Sequence, residues 1–305
     1  MSNRAVLEPS SKENVFSYTK WGMHLATLRE QYRNAQPFPH VVLENFLENY
    51  AAEEALAEFP SVNSGDWIHY IHINEKKFGK TNLATFEPTL SAIVDELNSS
   101  RFLQFLSELT DIKGLFADHS LEGGGLHQTG PGGFLNIHAD FTVHPHHRNW
   151  ERRVNILIYL NKEWKHSYRG YLELWDRNMR RRVKKIAPIF NRCVIFNTDP
   201  DAFHGHPSPL ACPEGMTRKS IALYYFTKDS RLAPIRSTNY KARPYDGIKR
   251  FLIYFDKKVL QAYDATKRKL RINDRFASAI LRSLHNLNAR LMGKQNRHWN
   301  KRKHR

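Results

Sequence analysis

Apolar residues recur at helical spacing in the first third of the chain. Trp21, Leu25, Leu28 and Tyr32 lie on one face of a helix predicted over residues 14–35. A short strand is predicted in HVVLENFL, shortly after Pro39 ends the first pattern. We therefore expect residues 1–115 to be a mainly helical N-terminal part with one or more core strands. Further helices in this part are predicted at residues 49–58, 87–98 and 101–110.

The pattern changes after the glycine-rich stretch 123–133. Short apolar or alternating runs follow, and Gly, Pro, Asn and Asp residues separate them. This rhythm is typical of an antiparallel sandwich or barrel, which we place at residues 116–235. With the helices before it, the fold class is α+β. The predicted strands are FLNIHADF, RRVNILIYLN, GYLELWD, RRRVKKI, RCVIFNT and RKSIALYYFT.

Charge and a second helical pattern set the C-terminal part apart. Residues 247–305 contain 17 Lys and Arg and 3 Asp, which is +14 of the total net charge of +17. An apolar stripe of Ile280, Leu284, Leu287 and Leu291 runs through this basic sequence, so residues 246–305 are predicted to be a basic helical extension. It suits an anionic partner: RNA, an acidic polymer or a membrane surface. The alternative is that the stripe packs on the body of the protein.

Other compositional features narrow the class. The N-terminus lacks the apolar stretch of a secretory signal, and no later run is long enough for a transmembrane segment, so a cytoplasmic location is predicted. The two cysteines, Cys193 and Cys212, are too few for a disulfide framework and lack zinc-site spacing. Cys193 stands in an apolar run and is expected to be buried.

Candidate metal ligands occur in FLNIHADF. His138 and Asp140 are two residues apart on a predicted strand, so their side chains leave the same face. His204 follows the strand RCVIFNT, from where a neighbouring strand can bring it to the first pair. Two imidazoles and one carboxylate form the facial set that holds iron(II) and leaves positions open for oxygen and a chelating co-substrate. His206 competes with His204 for the third position.

A candidate anion site lies on the last strand of this region. Arg218, Ser220, Ala222 and Tyr224 alternate along RKSIALYYFT and should share one face. An arginine at such a place binds a carboxylate bidentately, as the distal carboxylate of 2-oxoglutarate requires. Tyr159 can add a hydroxyl to the same anion.

Over residues 110–230 the order of these parts resembles the prolyl 4-hydroxylase-like branch of the iron(II)/2-oxoglutarate-dependent dioxygenases. The resemblance implies a double-stranded β-helix, the jelly roll, with buttressing helices. It also implies that His138, Asp140 and His204 hold iron(II), and that Tyr159 and Arg218, with Ser220 beside them, bind 2-oxoglutarate. The reaction would consume oxygen and 2-oxoglutarate and hydroxylate a prolyl-like, amino-acid or sugar-type carbon, with release of succinate and carbon dioxide. Ascorbate is a candidate reductant.

Departures from neighbouring groups and from the branch itself refine this hypothesis. Asp140 argues against a halogenating enzyme, in which a small residue replaces the carboxylate. Tyr224 stands where nucleic-acid demethylases of the superfamily carry a second arginine. Phe134 and Asn136 stand where close relatives carry a tyrosine-type strand, so the resemblance does not assign the residues on that side of the co-substrate pocket.

Two alternative functions stay open, and two further groups of charged or titratable residues need an interpretation. The rivals are a catalytically silent barrel that binds an anionic polymer or nucleic acid through its tail, and a cupin-type metal enzyme that needs neither Arg218 nor Tyr159. The loop with His144, His146 and His147 is expected to be solvated or to line a substrate entrance. The basic run 177–185 is expected to form an exposed hairpin that can attract an acidic substrate.

Overall fold

Helices fill most of the N-terminal part. The computed structural model describes residues 14–228, 234–247 and 250–254. Ser17 caps the first helix and Ser99 the fourth, because each side chain accepts a hydrogen bond from a backbone N–H of the first turn. Pro88 is the first residue of the third helix, where its missing N–H costs nothing. The helices are α1 (Tyr18–Asn34), α2 (Asn49–Ala57), α3 (Pro88–Leu97) and α4 (Ser100–Thr110).

One curled antiparallel sheet forms the rest of the described fold. Its main path runs β1-β10-β7-β12-β5-β3-β6-β11-β8-β9, and β2, β4 and β13 pair at its sides. The strands are β1 (His40–Leu43), β2 (Ile68–His72), β3 (Glu75–Lys80), β4 (Phe116–Ala117), β5 (Gly125–Thr129), β6 (Phe134–Ala139), β7 (Trp150–Tyr159), β8 (Leu172–Trp175), β9 (Arg182–Ile186), β10 (Arg192–Asn197), β11 (His204–His206), β12 (Arg218–Lys228) and β13 (Asn239–Tyr240).

Strand β3 links the two halves of the sheet because it pairs with β5 along one part and with β6 along the other. The sheet thereby curls into a double-stranded β-helix, and the predicted jelly-roll core with buttressing helices is confirmed. Gly125 makes the close approach of β3 and β5 possible. It has a φ of +81°, and a Cβ there would lie 2.2 Å from the Lys80 carbonyl oxygen.

Side chains alternate along β7 and β12 between two faces: one packs against the helices, and the other points into the barrel. The core-facing side chains join those of the helices in the main hydrophobic cluster. The intervening residues, which include Asn155, Tyr159, Arg218 and Ser220, therefore point into the barrel. Ser220 lies opposite Tyr159 in the pairing of the two strands. The core-facing set is Val154, Ile156 and Ile158 from β7 and Ile221, Leu223 and Tyr225 from β12.

Several strands, among them β2, β3 and β5, were not predicted from the sequence. The hairpin of β2 and β3 was not predicted, because its polar residues break the apolar alternation of a strand. Those polar groups satisfy one another instead: Glu75 contacts Lys77 Nζ at 3.2 Å and His72 Nε2 at 2.8 Å. Strand β5 lies inside the glycine-rich stretch, whose composition indicated turns.

The expectation for the histidine loop is wrong for His144. Its side chain is buried, packs against Trp150 and Phe226, and places Nε2 3.3 Å from Asp118 Oδ2. His147 stacks on Trp150 with ring centroids 4.0 Å apart. The loop is therefore held by aromatic packing and one buried polar contact.

The basic run forms the β8–β9 hairpin, and β9 is exposed over Arg182–Lys185. Cys193 is buried, as predicted. Most of the predicted extension, including its apolar stripe, lies outside the described residues. Within the described residues, no helix is long and apolar enough to cross a membrane. The domain boundaries and the cytoplasmic location stay predictions.

Candidate metal centre

His138, Asp140 and His204 meet inside the barrel. His138 lies on β6, Asp140 directly follows that strand, and His204 begins β11 opposite His138. The Nε2 atoms of both histidines are 3.5 Å from Asp140 carboxylate oxygens, Oδ1 for His138 and Oδ2 for His204. One ligand atom from each of the three residues lies within 4.8 Å of the others. The structure thus brings together the three residues singled out as ligands from the sequence.

Hydrogen bonds orient both imidazoles. His138 Nδ1 donates to the Asn136 carbonyl oxygen and His204 Nδ1 to the Ala202 carbonyl oxygen, each at 2.9 Å. A carbonyl oxygen only accepts, so the proton must reside on Nδ1 in both rings. The Nε2 lone pairs are therefore directed at the shared space beside Asp140, as metal binding requires.

Cross-strand register explains why His204 and not His206 joins the cluster. Both residues face the interior, but His204 pairs with His138, whereas His206 lies opposite Leu135 beyond an irregularity in the register. Gly205, between them, permits this approach, because a Cβ there would lie 2.7 Å from the Asn136 carbonyl oxygen. The His206 Nδ1 atom is buried without a hydrogen-bond partner among the described residues.

A buried network supports the carboxylate of Asp140. Asn155 Nδ2 donates to Asp140 Oδ2 at 2.7 Å, and Arg152 Nε and Nη2 donate to Asn155 Oδ1 at 3.0 and 2.7 Å. Arg152 Nη2 also lies 3.3 Å from Asp140 Oδ2. Burial by itself would raise the pKa of Asp140, but Arg152 and the two histidines lower it well below the usual range. The carboxylate is therefore charged at neutral pH.

Arg152 is fixed by two aromatic rings. Its guanidinium carbon lies 3.5 Å from the ring centre of Tyr224 and 4.5 Å from that of Phe141. Tyr224 in turn donates to the Gly123 carbonyl oxygen at 2.8 Å. Neither Arg152 nor Asn155 was identified from the sequence. The only signal is that Asn155 interrupts the apolar run 154–159 of β7 at an inward position.

The residues fit a resident iron(II) ion. Two imidazole nitrogens and one carboxylate on one side of a buried site are the donor set of non-haem iron(II) oxygenases. Burial lowers the pKa of His204 to about 4, so its imidazole is neutral and able to donate a lone pair at neutral pH. Asp140 contributes a negative charge to this donor set.

Arg218 lies at the start of β12 and is buried. Its Nε donates to the Gly170 carbonyl oxygen at 2.8 Å and its Nη2 to the Tyr159 hydroxyl at 3.1 Å. Within the described chain no Asp or Glu forms an ion pair with it, and burial lowers its pKa. A buried guanidinium without a carboxylate partner is suited to bind an anion.

Ser220 and two further histidines border the same interior. Ser220 is flanked by Tyr159 on β7 and by His127 on β5. His127 is partly buried, and burial lowers its pKa to about 3, so the ring is neutral. Burial lowers the pKa of His206 well below its usual range, and the charge of Arg218 lowers it further. The space between the metal ligands and Arg218 is thus bordered in part by neutral polar groups.

Comparison with known proteins agrees with this geometry. Residues 124–226 match the sequence model of the 2OG-Fe(II) oxygenase superfamily, and this region contains His138, Asp140, His204 and Arg218. A search of curated protein sequences gave no match. The match confirms the predicted class, a 2-oxoglutarate- and iron(II)-dependent dioxygenase.

The solved structures to which this chain is similar include the following three. A prolyl hydroxylase from Trichoplax adhaerens, in complex with a hypoxia-inducible factor fragment, is 23% identical, with coverage of 69% of this chain and 94% of the other and a TM-score of 0.48. A Pseudomonas putida prolyl-4-hydroxylase is 15% identical, with coverage of 68% and 100% and a TM-score of 0.48. HygX from Streptomyces hygroscopicus, with nickel, 2-oxoglutarate and hygromycin B bound, is 13% identical, with coverage of 70% and 97% and a TM-score of 0.44.

Proposed function

We propose that this protein hydroxylates an unactivated carbon of a prolyl-like, amino-acid or sugar-type substrate. In this proposal His138, Asp140 and His204 hold iron(II), and Arg218, Tyr159 and Ser220 hold 2-oxoglutarate. The observation that carries it is that a buried two-histidine, one-carboxylate cluster and a buried arginine without a carboxylate partner face the same barrel interior.

The spacing of these groups suits a short dicarboxylate. Asn155, which contacts Asp140, and Tyr159, which contacts Arg218, both face inward and are four residues apart on β7, roughly 13 Å along a strand. A five-carbon dicarboxylate spans this distance once the metal bond at one end and the hydrogen bonds at the other are added. A monocarboxylate would leave the guanidinium without an anion.

Each chain residue has a separate task in this mechanism. The two Nδ1 hydrogen bonds hold the imidazoles with Nε2 toward the metal, and Asn155 with Arg152 holds the carboxylate of Asp140. Arg218 and the Tyr159 hydroxyl orient the distal carboxylate of the co-substrate, and the buried walls exclude water. Iron(II), 2-oxoglutarate and molecular oxygen would supply the oxidising chemistry: one oxygen atom of O2 would enter the succinate formed with release of carbon dioxide, and the other would enter the substrate as its new hydroxyl.

An anaerobic iron(II) titration with and without 2-oxoglutarate tests the proposal. Chelation of iron(II) by the co-substrate produces a weak visible metal-to-ligand charge-transfer band, which should appear in the wild type and be lost in His138→Ala. Absence of the band in folded, iron-loaded protein would overturn the enzyme proposal and favour the silent barrel. Succinate release with prolyl peptides, free amino acids and sugars would then identify the substrate class.

A matched pair of variants tests the third ligand. His204→Ala should lose iron(II) affinity, whereas His206→Ala, two residues away on the same face, should retain it. Iron binding without 2-oxoglutarate is the correct measurement here, since His206 borders the co-substrate space. The reverse outcome would assign His206 as the ligand.

A further inference from the structure

An open cleft lies beside the β8–β9 hairpin, outside the barrel interior. It has a volume of about 460 Å³ and is bounded by the 3₁₀ turn His166–Tyr168, the start of β8 and the exposed strand β9. We call it the Arg169 cleft. Most of its polar lining is cationic or hydroxylic: His166, Ser167, Arg169, Arg182, Lys185 and Ser208.

The charges in the Arg169 cleft do not balance. Its one carboxylate, Glu173, accepts from Arg182 Nη1 at 3.0 Å and from Trp175 Nε1 at 3.0 Å, so it is already neutralised. Arg169 and Lys185 make no ion pair among the described residues. The Lys185 ammonium lies 4.2 Å from the ring centre of Tyr171, which holds it at the cleft. Two positive charges therefore remain without a counter-charge.

Arg169 has a backbone conformation that side chains rarely adopt. Its φ is +62° and its ψ −139°, and Gly170 follows with a φ of +70°. The Arg169 N–H donates to the His166 carbonyl oxygen at 3.2 Å, and its carbonyl oxygen accepts from Trp164 Nε1 at 2.9 Å. Glycine would avoid the strain. Strain retained at a non-glycine residue is typical of a functional site, and here its effect is to place a guanidinium at the cleft.

We propose that the Arg169 cleft binds a tetrahedral dianion, the phosphoryl or sulfuryl group of a small molecule. Arginine and lysine pair with such oxygens through charge-assisted hydrogen bonds, and the serine hydroxyls add neutral donors. A dianion matches the two unbalanced charges. A nucleic acid fits less well, because the Tyr171 ring is already engaged by Lys185 and His166 Nδ1 contacts the Tyr171 hydroxyl at 2.8 Å, so no free ring remains for base stacking.

This cleft is distinct from the proposed co-substrate site but adjoins it. The Gly170 carbonyl oxygen accepts from Arg218 Nε, so one backbone segment borders both. Arg218 itself is buried and faces the barrel interior. A binding test must therefore keep the co-substrate site filled, so that added anions do not occupy Arg218.

Isothermal titration calorimetry with inorganic sulfate tests the proposal. The protein is loaded with iron(II) and saturating 2-oxoglutarate without oxygen, and chloride keeps the ionic strength constant. Arg169→Gly and Lys185→Gln should each weaken sulfate binding at least about tenfold, as loss of a charge-assisted hydrogen bond predicts. Arg180→Ala, which removes one charge from the same hairpin outside the cleft, is the control and should change the affinity less than about twofold.

Arg169→Gly separates loss of the site from loss of the fold. Glycine accepts the positive φ, so the melting temperature of this variant should equal or exceed that of the wild type. Lack of sulfate binding by the wild type, equal binding by Arg169→Gly, or an equal loss in Arg180→Ala would overturn the proposal. Glycerol 3-phosphate distinguishes the source of the ligand: tighter binding than sulfate assigns the cleft to an ester, and equal binding assigns it to a free anion.

Discussion

Replacement of Arg218 by methionine gives the most direct measure of the proposed co-substrate site. Of the five guanidinium N–H donors, Nε is used by Gly170 and one on Nη2 by Tyr159, which leaves three for an incoming carboxylate. Two hydrogen bonds to a charged acceptor contribute roughly 3–6 kcal/mol together. The dissociation constant of 2-oxoglutarate should therefore rise about 10²- to 10⁴-fold.

Ligand-dependent unfolding measures this loss without turnover. At a 2-oxoglutarate concentration about 100 times its dissociation constant, the wild type should gain about 2.7 kcal/mol in free energy of unfolding. A variant with about 100-fold weaker affinity should gain only about 0.4 kcal/mol at that concentration. Arg218→Lys, which keeps the charge but not the fork of donors, should fall between the two.

The result that would refute this reasoning is an equal 2-oxoglutarate-dependent gain in wild type and Arg218→Met. Such a result would remove Arg218 from the site and favour a cupin-type centre. Tyr159→Phe is the companion variant: loss of one neutral hydroxyl should weaken 2-oxoglutarate binding only about tenfold.

Three further predictions concern the parts that support the site. Asn155→Ala should weaken iron(II) binding about 10- to 100-fold, measured by anaerobic titration, because Asp140 Oδ2 loses its amide donor. The Asp118 carboxylate should make the free energy of unfolding depend on pH in the acid range. Burial raises its pKa, but the hydrogen bonds from His144 and Ser120 lower it below the unfolded value of about 3.9. Its stabilising contribution is therefore present above about pH 3.9 and is lost as the pH falls toward the folded pKa. Asp118→Asn should flatten the fall in unfolding free energy between roughly pH 5 and pH 2, and an unchanged slope would contradict the assignment. Gly125→Ala should lower the unfolding free energy in urea by about 4 kcal/mol or more, whereas Gly215→Ala, at the same φ of +81° with nothing within 4 Å of the added Cβ, should cost only about 1–2 kcal/mol.

The local sequence pattern was sufficient to predict the helices and strands whose apolar residues are regularly spaced. The helices at Asn49–Ala57 and Pro88–Leu97 lie within one residue of their predicted bounds, since their apolar residues face a single core. The alternation that placed Arg218 and Ser220 on one face of β12 also holds, because side-chain direction in a strand repeats every two residues. By contrast, the β2–β3 hairpin escaped prediction because its polar residues are satisfied by contacts within the fold, such as that between Glu75 and Lys77.

The sequence by itself determined the class of chemistry. His138 with Asp140, a later histidine and an arginine at the start of a later strand, in an order that resembles a known family, indicated iron(II) and 2-oxoglutarate before any geometry was known. Tertiary structure decided the rest. His204 and His206 share one face, so alternation could not choose between them, and only the pairing of His204 with His138 did. The support of Asp140 by Asn155 depends on contacts between strands, and such contacts leave no periodic trace in the sequence because they depend on how distant strands align.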